Sequence, residues 1–428
     1  MGDLEAEVAE TTTKKGDVGF KDIYNAVGNM TFSERISAFG KVLRTETKNK
    51  HNLYRRVVNS SADRSVQIID PLTGRQREML MFGSNNYLGL ATHPYVVEYV
   101  RKTIKEYGVG VGGPPLLNGY TRLHQDLEER LAAFKKKESC MLFSSGYNAN
   151  VGLVTGLMTG NDFILFDEYM HASFCDGMKM GRIKCCNFRH NDVNDLELLL
   201  KKFSVNKKGS LFVAVEGVYS MIGDMAPLDK IARLCKSFDA VLIVDDAHGT
   251  GVLGTNGRGT ADHFAVHDEV PIIMGTFSKS FGVTGGFLCS SKQAIDYIRF
   301  FARSYIFSAS LPPVAVAAIL AGLDVMENEP ALFETLKKNI AYAVKSFNSL
   351  NFSVNTKSAI IALPIPEKMD IREAAWEFHV QGIFLNSVEY PAVPLQQQRF
   401  RISIMATHTR EDIDRLVETV DRVWKKLA

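Results

Sequence analysis

Short apolar runs alternate with helical patterns of apolar positions from about residue 75 to residue 310. Continuous apolar runs of this length are typical of strands that are buried on both faces. One helical pattern places Leu123, Leu127, Leu131 and Phe134 on a single face. The alternation predicts βαβ units and a mostly parallel sheet, with functional groups at the carboxyl ends of its strands. The predicted strands cover residues 140–143, 163–166, 211–215, 241–244, 272–274 and 286–289.

The pattern changes after Pro312-Pro313, where longer helices with few strands follow. The last helix is predicted to begin after Thr409 as its N-cap. The chain therefore divides into a large domain over residues 75–312 and a smaller α+β domain over residues 313–428. Residues 1–74 form an N-terminal arm and helix in this division.

Within the arm, residues 1 to about 20 are polar and are predicted to be disordered. A helix is predicted from Thr31, because Thr31 and Glu34 have capping-box spacing ahead of Phe32, Ile36 and Phe39. Its apolar face favours packing on the main domain or on a partner subunit. The basic stretch over residues 41–56 leaves peripheral attachment to a membrane surface as the alternative.

Composition excludes several classes of protein. The length of 428 residues and the hydrophobic fraction of 46% predict a globular protein. The net charge of only +2 gives no reason to expect a nucleic-acid partner. Its six cysteines show no C-x-x-C pair and no spacing suited to zinc, so we expect reduced thiols, no metal site and a cytoplasmic location.

A lysine stands directly after the predicted strand 272–274, in the segment Gly275-Thr276-Phe277-Ser278-Lys279-Ser280. A lysine in such a hydroxyl-rich turn suits either a phosphate cradle or a Schiff-base nucleophile. A Walker A loop requires glycine directly before its lysine, and Ser278 occupies that place. Nucleotide binding is therefore disfavoured.

A carboxylate ends the predicted strand 241–244, in the segment Asp245-Asp246-Ala247-His248-Gly249. Asp245 could cap the following turn. Alternatively, it could pair with a pyridinium nitrogen, because a fixed anion keeps such a ring protonated and able to withdraw electrons. Taken alone, this segment leaves both interpretations open.

Together and in this order, the two segments resemble those of the alpha-oxoamine synthases, which are fold-type I pyridoxal-phosphate enzymes. The resemblance covers about residues 75–428. It implies a PLP-dependent transferase fold with a mostly parallel seven-stranded sheet in the large domain. It rests also on Ser84-Asn85-Asn86-Tyr87-Leu88-Gly89-Leu90, Leu117-Asn118-Gly119, Ser145-Gly146-Tyr147-Asn148-Ala149-Asn150, Asp167-Glu168-Tyr169-Met170-His171-Ala172-Ser173, Tyr219-Ser220-Met221-Ile222-Gly223-Asp224, Phe307-Ser308-Ala309-Ser310-Leu311-Pro312-Pro313 and Arg401-Ile402-Ser403-Ile404-Met405-Ala406-Thr407-His408.

The resemblance assigns four catalytic residues. Lys279 holds pyridoxal phosphate as a Schiff base and Asp245 pairs with the ring nitrogen, while His248 donates a hydrogen bond to the phenolic oxygen. His171 stacks on the ring, and Ser220 lies near the same oxygen.

The phosphate and the substrate have further predicted partners. Backbone N–H groups at a helix start suit a phosphate, and the predicted set is Ser145, Gly146, Tyr147, Thr276 and Ser278. In the family, the segment that matches Ser308 reaches the phosphate of the other subunit, which implies a homodimer with a shared active site. Asn85 and Arg401 are expected to bind the amino-acid substrate.

The implied reaction condenses an amino acid with an acyl thioester and releases carbon dioxide. Residues 405–409 and 117–119 resemble members that use L-serine and a long-chain acyl-CoA to make a 3-ketosphinganine-type aminoketone, the first step of sphingolipid synthesis. Such members commonly have Ser-Arg-Phe where this chain has Pro114-Pro115-Leu116, which puts the acyl donor in doubt. The alternatives are a C-acyltransferase for glycine or alanine, a simple aminotransferase, and a non-catalytic partner subunit.

Overall fold

The computed structural model describes residues 30–205, 208–389 and 392–427, so the predicted disorder of residues 1 to about 20 lies outside the described residues. The strands, in chain order, are β1 (Val57–Val58), β2 (Ser65–Ile69), β3 (Gln76–Met81), β4 (Ser139–Phe143), β5 (Phe163–Asp167), β6 (Lys184–Phe188), β7 (Leu211–Glu216), β8 (Ala240–Asp245), β9 (Ile272–Thr276), β10 (Gly286–Ser290), β11 (Ile360–Pro364), β12 (Ile383–Phe384), β13 (Asn386–Val388) and β14 (Arg399–Ser403). The helices are α1 (Phe32–Lys48), α2 (Pro94–Tyr107), α3 (Arg122–Phe134), α4 (Gly146–Leu157), α5 (Ala172–Gly181), α6 (Val193–Ser204), α7 (Leu228–Ser237), α8 (Thr260–His263), α9 (Lys292–Phe301), α10 (Arg303–Ile306), α11 (Pro313–Asn328), α12 (Pro330–Ser349), α13 (Ile371–Val380) and α14 (Arg410–Leu427).

Seven strands form the central sheet, in the order β4-β10-β9-β8-β7-β5-β6. Only β10 runs antiparallel to its neighbours. Each of the six predicted runs is a strand of this sheet, so the prediction of a mostly parallel sheet is confirmed. The apolar pattern does not predict β6, because this edge strand has the sequence KCCNF and most of its residues are at least partly exposed.

Helices cover both faces of the central sheet. On one face, apolar side chains of α4, α5 and α9 pack together, among them Leu153, Phe174 and Ile298. On the other face, α6 and α7 contribute Leu196 and Ile231. Because neither face meets water, the strands can be apolar throughout, and this explains the continuous runs in the sequence.

The last third of the chain forms a second α+β layer. Strands β11, β14 and β13 make a three-stranded antiparallel sheet, against which α12, α13 and α14 bury apolar side chains. Strand β12 pairs in parallel with β3. A strand that precedes the central sheet in the sequence therefore shares a small sheet with a strand from the C-terminal part of the chain. The predicted cap of α14 is present, since Asp412 N donates to Thr409 Oγ1 at 3.2 Å. The domain limits given above stay a prediction.

The N-terminal helix α1 begins as predicted. The backbone N–H and the hydroxyl of Thr31 donate to Glu34 Oε2 at 2.8 and 2.7 Å, and the capping box is complete. The apolar face of α1 is not buried on the main domain, since no residue of α1 is buried and Phe32 is 72% exposed. The other expectation, packing of this face on a partner subunit, stays a prediction. Among the described residues, no helix is both long and apolar enough to cross a membrane.

Candidate active site

The carboxyl ends of three neighbouring strands gather the predicted catalytic groups. Glu216 ends β7, Asp245 ends β8 and Thr276 ends β9, and Glu216 lies beside Asp245 in the register. The turn after β8 carries His248, and the turn after β9 carries Lys279. Parallel strands bring these residues to one edge of the sheet, as the sequence predicts.

Asp245 is buried and held in a fixed orientation. The Asn150 side-chain N–H donates to Asp245 Oδ2 at 2.8 Å, and Ala247 N donates to Asp245 Oδ1 at 3.1 Å. Asn150 also donates to Ser173 Oγ at 2.9 Å, and that hydroxyl contacts His171 Nδ1 at 2.7 Å. A continuous hydrogen-bond chain therefore connects the carboxylate with His171, whose ring is exposed as stacking on a bound ligand requires.

The predicted site set contains neither Asn150 nor Ser173. A signal was present in the sequence, because Asn150 is the polar residue in the otherwise apolar segment 149–154 of α4, and the structure shows that it is fully buried. A buried amide costs free energy unless its hydrogen bonds are satisfied. The sequence could not identify Asp245 as the hydrogen-bond partner of Asn150, because the two residues are 95 positions apart.

The surroundings of Lys279 favour its neutral amine. Burial lowers the pKa of Lys279 to about 8, although the negative charges of Asp245 and Glu216 oppose this shift. Burial first, and then the neighbouring Asp245, raise the pKa of Glu216 well above its usual range. Glu216 is a site residue that sequence reasoning missed. A lysine amine with a lowered pKa is the form that attacks a carbonyl carbon.

His248 is buried, and burial followed by the charges of Lys279 and Arg401 lowers its pKa well below the usual range. The imidazole is therefore neutral. Its Nδ1 lies 2.8 Å from Tyr87 OH, a shorter contact than the 3.2 Å from Tyr87 OH to Asn85 Oδ1. Donation from Tyr87 to Nδ1 fixes the tautomer with a proton on Nε2, which then acts as a donor. The sequence did not predict this role for Tyr87.

Arg401 lies in β14 and is buried, and four oxygens surround its guanidinium. Its Nε donates to the Ser220 carbonyl at 2.6 Å, and Nη2 donates to Asn85 Oδ1 at 3.0 Å and to Tyr87 OH at 3.3 Å. Nη1 donates to Ser403 Oγ at 3.3 Å. The structure thus unites Arg401, Asn85 and Ser220, although Ser220 contributes its carbonyl here rather than its hydroxyl.

The predicted phosphate cradle lies where α4 begins against β9 and β10. Ser145 caps α4 by accepting from Asn148 N at 3.1 Å, which leaves the N–H groups of Gly146 and Tyr147 free of this cap. Thr276 Oγ1 and Ser278 Oγ lie 3.0 Å apart. A Cβ added at Gly146 would lie 2.9 Å from Thr276, so only glycine allows this close approach.

Ser308 is the predicted cofactor residue that remains apart from this cluster. Among the described residues, no hydrogen bond joins Ser308 to Lys279, Asp245 or the cradle. Its neighbour Phe307 is 72% exposed, and Ser310 N donates to the Gly113 carbonyl at 3.0 Å. The position is compatible with a role toward a second subunit.

A buried ion pair supports the turn that carries His248. Lys135 Nζ donates to Asp246 Oδ2 at 2.8 Å and to Thr250 Oγ1 at 2.7 Å, and both charged side chains are almost fully buried. Thr260 N donates to Asp246 Oδ1 at 3.0 Å. The backbone approaches so closely that a Cβ at Gly259 would lie 1.7 Å from Asp246 Oδ2.

We expect Lys135→Met to destabilise the protein by about 3–5 kcal/mol, because it leaves the Asp246 carboxylate buried without its cation. Chemical denaturation of both proteins measures this difference. Lys136→Met is the matched control, since Lys136 is 41% exposed and its pair with Asp262 should contribute less than about 1 kcal/mol. Equal effects of the two substitutions would contradict the role given to Lys135.

These residues fit the cofactor that the resemblance implies. Pyridoxal phosphate requires a fixed anion for its ring nitrogen, an amine for its aldehyde and several donors for its phosphate. Asp245, Lys279 and the cradle around Gly146 supply these three in one place. The donor set is thus chemically complete apart from the predicted contribution of Ser308.

The chain is similar to known proteins over most of its length. The family model described as aminotransferase class I and II matches residues 77–420. A serine palmitoyltransferase of Sphingobacterium spiritivorum is 38% identical over 395 residues, which cover 92% of this chain and 97% of that protein. An 8-amino-7-oxononanoate synthase of Lysinibacillus sphaericus is 38% identical, covering 82% of this chain and 90% of that protein. A solved serine palmitoyltransferase variant from S. paucimobilis with a bound PLP–myriocin aldimine superposes with a TM-score of 0.85 and 28% identity, covering 92% and 98% of the two chains.

Proposed function

We propose, since this chain belongs to the alpha-oxoamine synthases of the aminotransferase class I and II family, that it condenses L-serine with a long-chain acyl-CoA. The product is a 3-ketosphinganine-type aminoketone. The chain is a pyridoxal-phosphate-dependent acyltransferase with the fold of the serine palmitoyltransferase structures. What requires a proposal is the choice of substrates, because relatives with serine palmitoyltransferase and 8-amino-7-oxononanoate synthase activities are equally similar to it.

The observation that carries the serine assignment is the hydrogen-bonding state of Asn85. Its Oδ1 accepts hydrogen bonds from Arg401 Nη2 at 3.0 Å and from Ser403 Oγ at 3.5 Å. Within the described part of the chain, its side-chain NH₂ has no hydrogen-bond partner and can meet a substrate oxygen. A hydroxymethyl group satisfies such a donor, whereas the side chains of glycine and alanine offer it no oxygen.

Each active-site residue has a separate role in the proposed reaction. When bound, pyridoxal phosphate supplies a protonated ring that stabilises negative charge on the amino acid's α-carbon. Asp245 holds the ring nitrogen protonated, and His248 Nε2 donates to the phenolic oxygen. Arg401 binds the α-carboxylate, and Lys279, once the amino acid has taken its place, removes the α-proton. The α-carbon would then form a bond to the thioester carbonyl carbon as its C–S bond breaks and coenzyme A leaves as the thiolate. After losing its carboxylate as carbon dioxide, the α-carbon would take up a proton.

The guanidinium of Arg401 already has four oxygen partners, so carboxylate binding must change this arrangement. An arginine has five N–H donors, and a bidentate contact uses two of them. We therefore infer that the substrate carboxylate replaces at least one of these four contacts. Displacement of Asn85 would couple carboxylate binding to the orientation of the amide that meets the serine hydroxyl.

A second candidate is a C-acyltransferase that uses glycine or alanine. The similarity to 8-amino-7-oxononanoate synthase favours it, and so does the replacement of the usual Ser-Arg-Phe by Pro114-Pro115-Leu116. A role as a non-catalytic partner is not supported, because Lys279, Asp245 and His248 are all present and assembled. A cytoplasmic location, with the membrane-surface alternative for α1, stays a prediction.

Titration of the holoenzyme with amino acids tests the substrate assignment. We expect L-serine to bind more tightly than glycine or alanine by about tenfold, as one additional satisfied hydrogen bond allows. The measurement is the change in cofactor absorbance, followed by product analysis with acyl-CoAs of different lengths. Faster condensation of glycine with a short acyl-CoA would reject the serine assignment and leave the family membership unchanged.

We also propose that the active enzyme is a homodimer in which Ser308 contributes to the neighbouring subunit's site. Aromatic side chains near this segment are exposed in the single chain, namely Tyr297, Phe300, Phe301 and Phe307 at 44%, 68%, 54% and 72%. Exposed apolar clusters of this kind are typical of subunit interfaces. Ser308 follows directly on this surface.

Mixed dimers test the shared site. Neither Ser308→Arg nor Lys279→Ala homodimers should be active, but a mixed dimer should regain one sound site, about half of the wild-type activity per dimer. The reason is that the two defects fall in the same composite site and leave the other one intact. Co-expression with two different affinity tags isolates the mixed dimer for assay. An inactive mixed dimer would indicate a site built from one chain.

A further inference from the structure

His190 connects two carboxylates that belong to different parts of the central sheet. Its Nδ1 lies 3.0 Å from Asp167 Oδ1, at the buried end of β5, and its Nε2 lies 2.8 Å from Asp224 Oδ2, in the loop after β7. Two aromatic rings enclose the imidazole. Tyr169 stacks on it with centroids 4.4 Å apart, and Tyr219 meets it edge-on at 4.5 Å.

The imidazole of His190 is a cation at neutral pH. Although burial opposes protonation, the hydrogen bonds to Asp167 and Asp224 raise the pKa of His190 to about 9. Both ring nitrogens then donate, and each meets a carboxylate oxygen. His190 therefore acts as a charged clamp between β5 and the loop.

This loop, residues 217–225, carries a direct contact to the substrate-binding arginine. Asp224 and Tyr219 are joined within it, since Tyr219 N donates to the Asp224 carbonyl at 2.9 Å. The next residue, Ser220, accepts the 2.6 Å hydrogen bond from Arg401 Nε. The position of the Ser220 carbonyl, and with it the direction of the guanidinium, depends on where the loop is held.

The C-terminal layer holds the loop from its other side. Both Thr356 Oγ1 and Ser358 Oγ donate to the Gly223 carbonyl at 2.7 Å. Gly223 has a positive φ of 83°, and an added Cβ would lie 2.3 Å from the Ile360 carbonyl, so the loop has little freedom on this side. On the side of the central sheet, His190 contacts Asp224 Oδ2 at 2.8 Å, and the side-chain N–H of Asn191 donates to the same oxygen at 3.0 Å and to the Met225 carbonyl at 3.2 Å. His190 is the charged member of this pair.

We propose that His190 is a positioning residue for amino-acid recognition, which holds the loop 217–225 so that Arg401 is directed at the substrate's α-carboxylate. The proposal rests on the role of Arg401 given under the proposed function. It predicts a specific defect in carboxylate binding rather than a general loss of stability or of the cofactor.

The test compares ligands with and without a carboxylate. In holoenzyme carrying His190→Gln, we expect the dissociation constant of L-serine to rise about tenfold or more, while that of 2-aminoethanol changes less than about twofold. KM for serine should rise more than kcat falls. His93→Gln is the control, because His93 pairs with Glu329 instead and should leave both ligands unchanged. Equal weakening of both ligands, or unchanged serine binding, would overturn the proposal.

Three further measurements keep the result independent of turnover, of the folding of one variant and of the serine assignment. Amide hydrogen exchange over residues 217–225 of the cofactor-free protein should be faster in His190→Gln, and unchanged exchange would count against the clamp. Asp224→Asn removes the loop end of the pair and should show the same selectivity if His190→Gln fails to fold. Glycine against methylamine repeats the comparison should the enzyme prefer glycine, so a wrong substrate assignment remains distinguishable from a wrong role for His190.

Discussion

Lys279→Ala is expected to abolish turnover, with a loss of about 10³-fold or more, while leaving the fold intact. Lys279 is predicted both to bind the cofactor aldehyde and to move the α-proton, and its pKa, lowered to about 8, suits both tasks. No other lysine stands in the turn from Thr276 to Ser280 to replace it. Lys135 is also buried, but its ammonium is held by Asp246 and Thr250.

Steady-state assays with the preferred amino acid, together with the absorbance of the lysine-bound cofactor, measure this effect. Circular dichroism and thermal unfolding should match those of the wild type. Lys292→Ala is the matched control, because the Lys292 side chain is exposed and its ammonium pairs with Asp296, four residues away on the same helix. Product formation at a wild-type rate by Lys279→Ala would contradict the role of Lys279 and with it the proposed active site.

The sequence predicted the central sheet best, because buried strands and helices alternate regularly along this part of the chain. Strands buried on both faces must be apolar at every position, so β5, β7 and β8 stand out as continuous runs. Their parallel order then places Asp245 and the turn of Lys279 at one edge without any knowledge of side-chain contacts. The cofactor and the family followed from the residues at these strand ends.

Partnerships between distant residues could not be predicted in this way. Asn150 and Asp245 are 95 positions apart, and Asn85 and Arg401 are 316 positions apart. No periodic pattern records such a contact, since each depends on how helices and sheets pack in three dimensions. The sequence left the packing of α1 open between the main domain and a partner subunit for a related reason, because an amphipathic pattern does not say which surface the apolar face will meet.

Asp245→Asn should retain the cofactor and lose at least about 100-fold in the rate of α-proton exchange. A neutral amide cannot keep the pyridine nitrogen protonated, so negative charge on the α-carbon loses its stabilisation. The surroundings strengthen this expectation. Asn150 and the Ala247 N–H both donate to Asp245, and an amide NH₂ at this position would meet one of these donors without an acceptor.

Exchange of the substrate's α-hydrogen with deuterium oxide, followed by NMR without acyl-CoA, isolates this step from the later condensation. Asn150→Ala provides the graded comparison, because it keeps the carboxylate but removes the 2.8 Å hydrogen bond that orients it. We expect its exchange rate to lie between those of the wild type and Asp245→Asn. If Asp245 only capped the turn after β8, both variants would exchange the α-hydrogen at the wild-type rate and differ from it in stability alone.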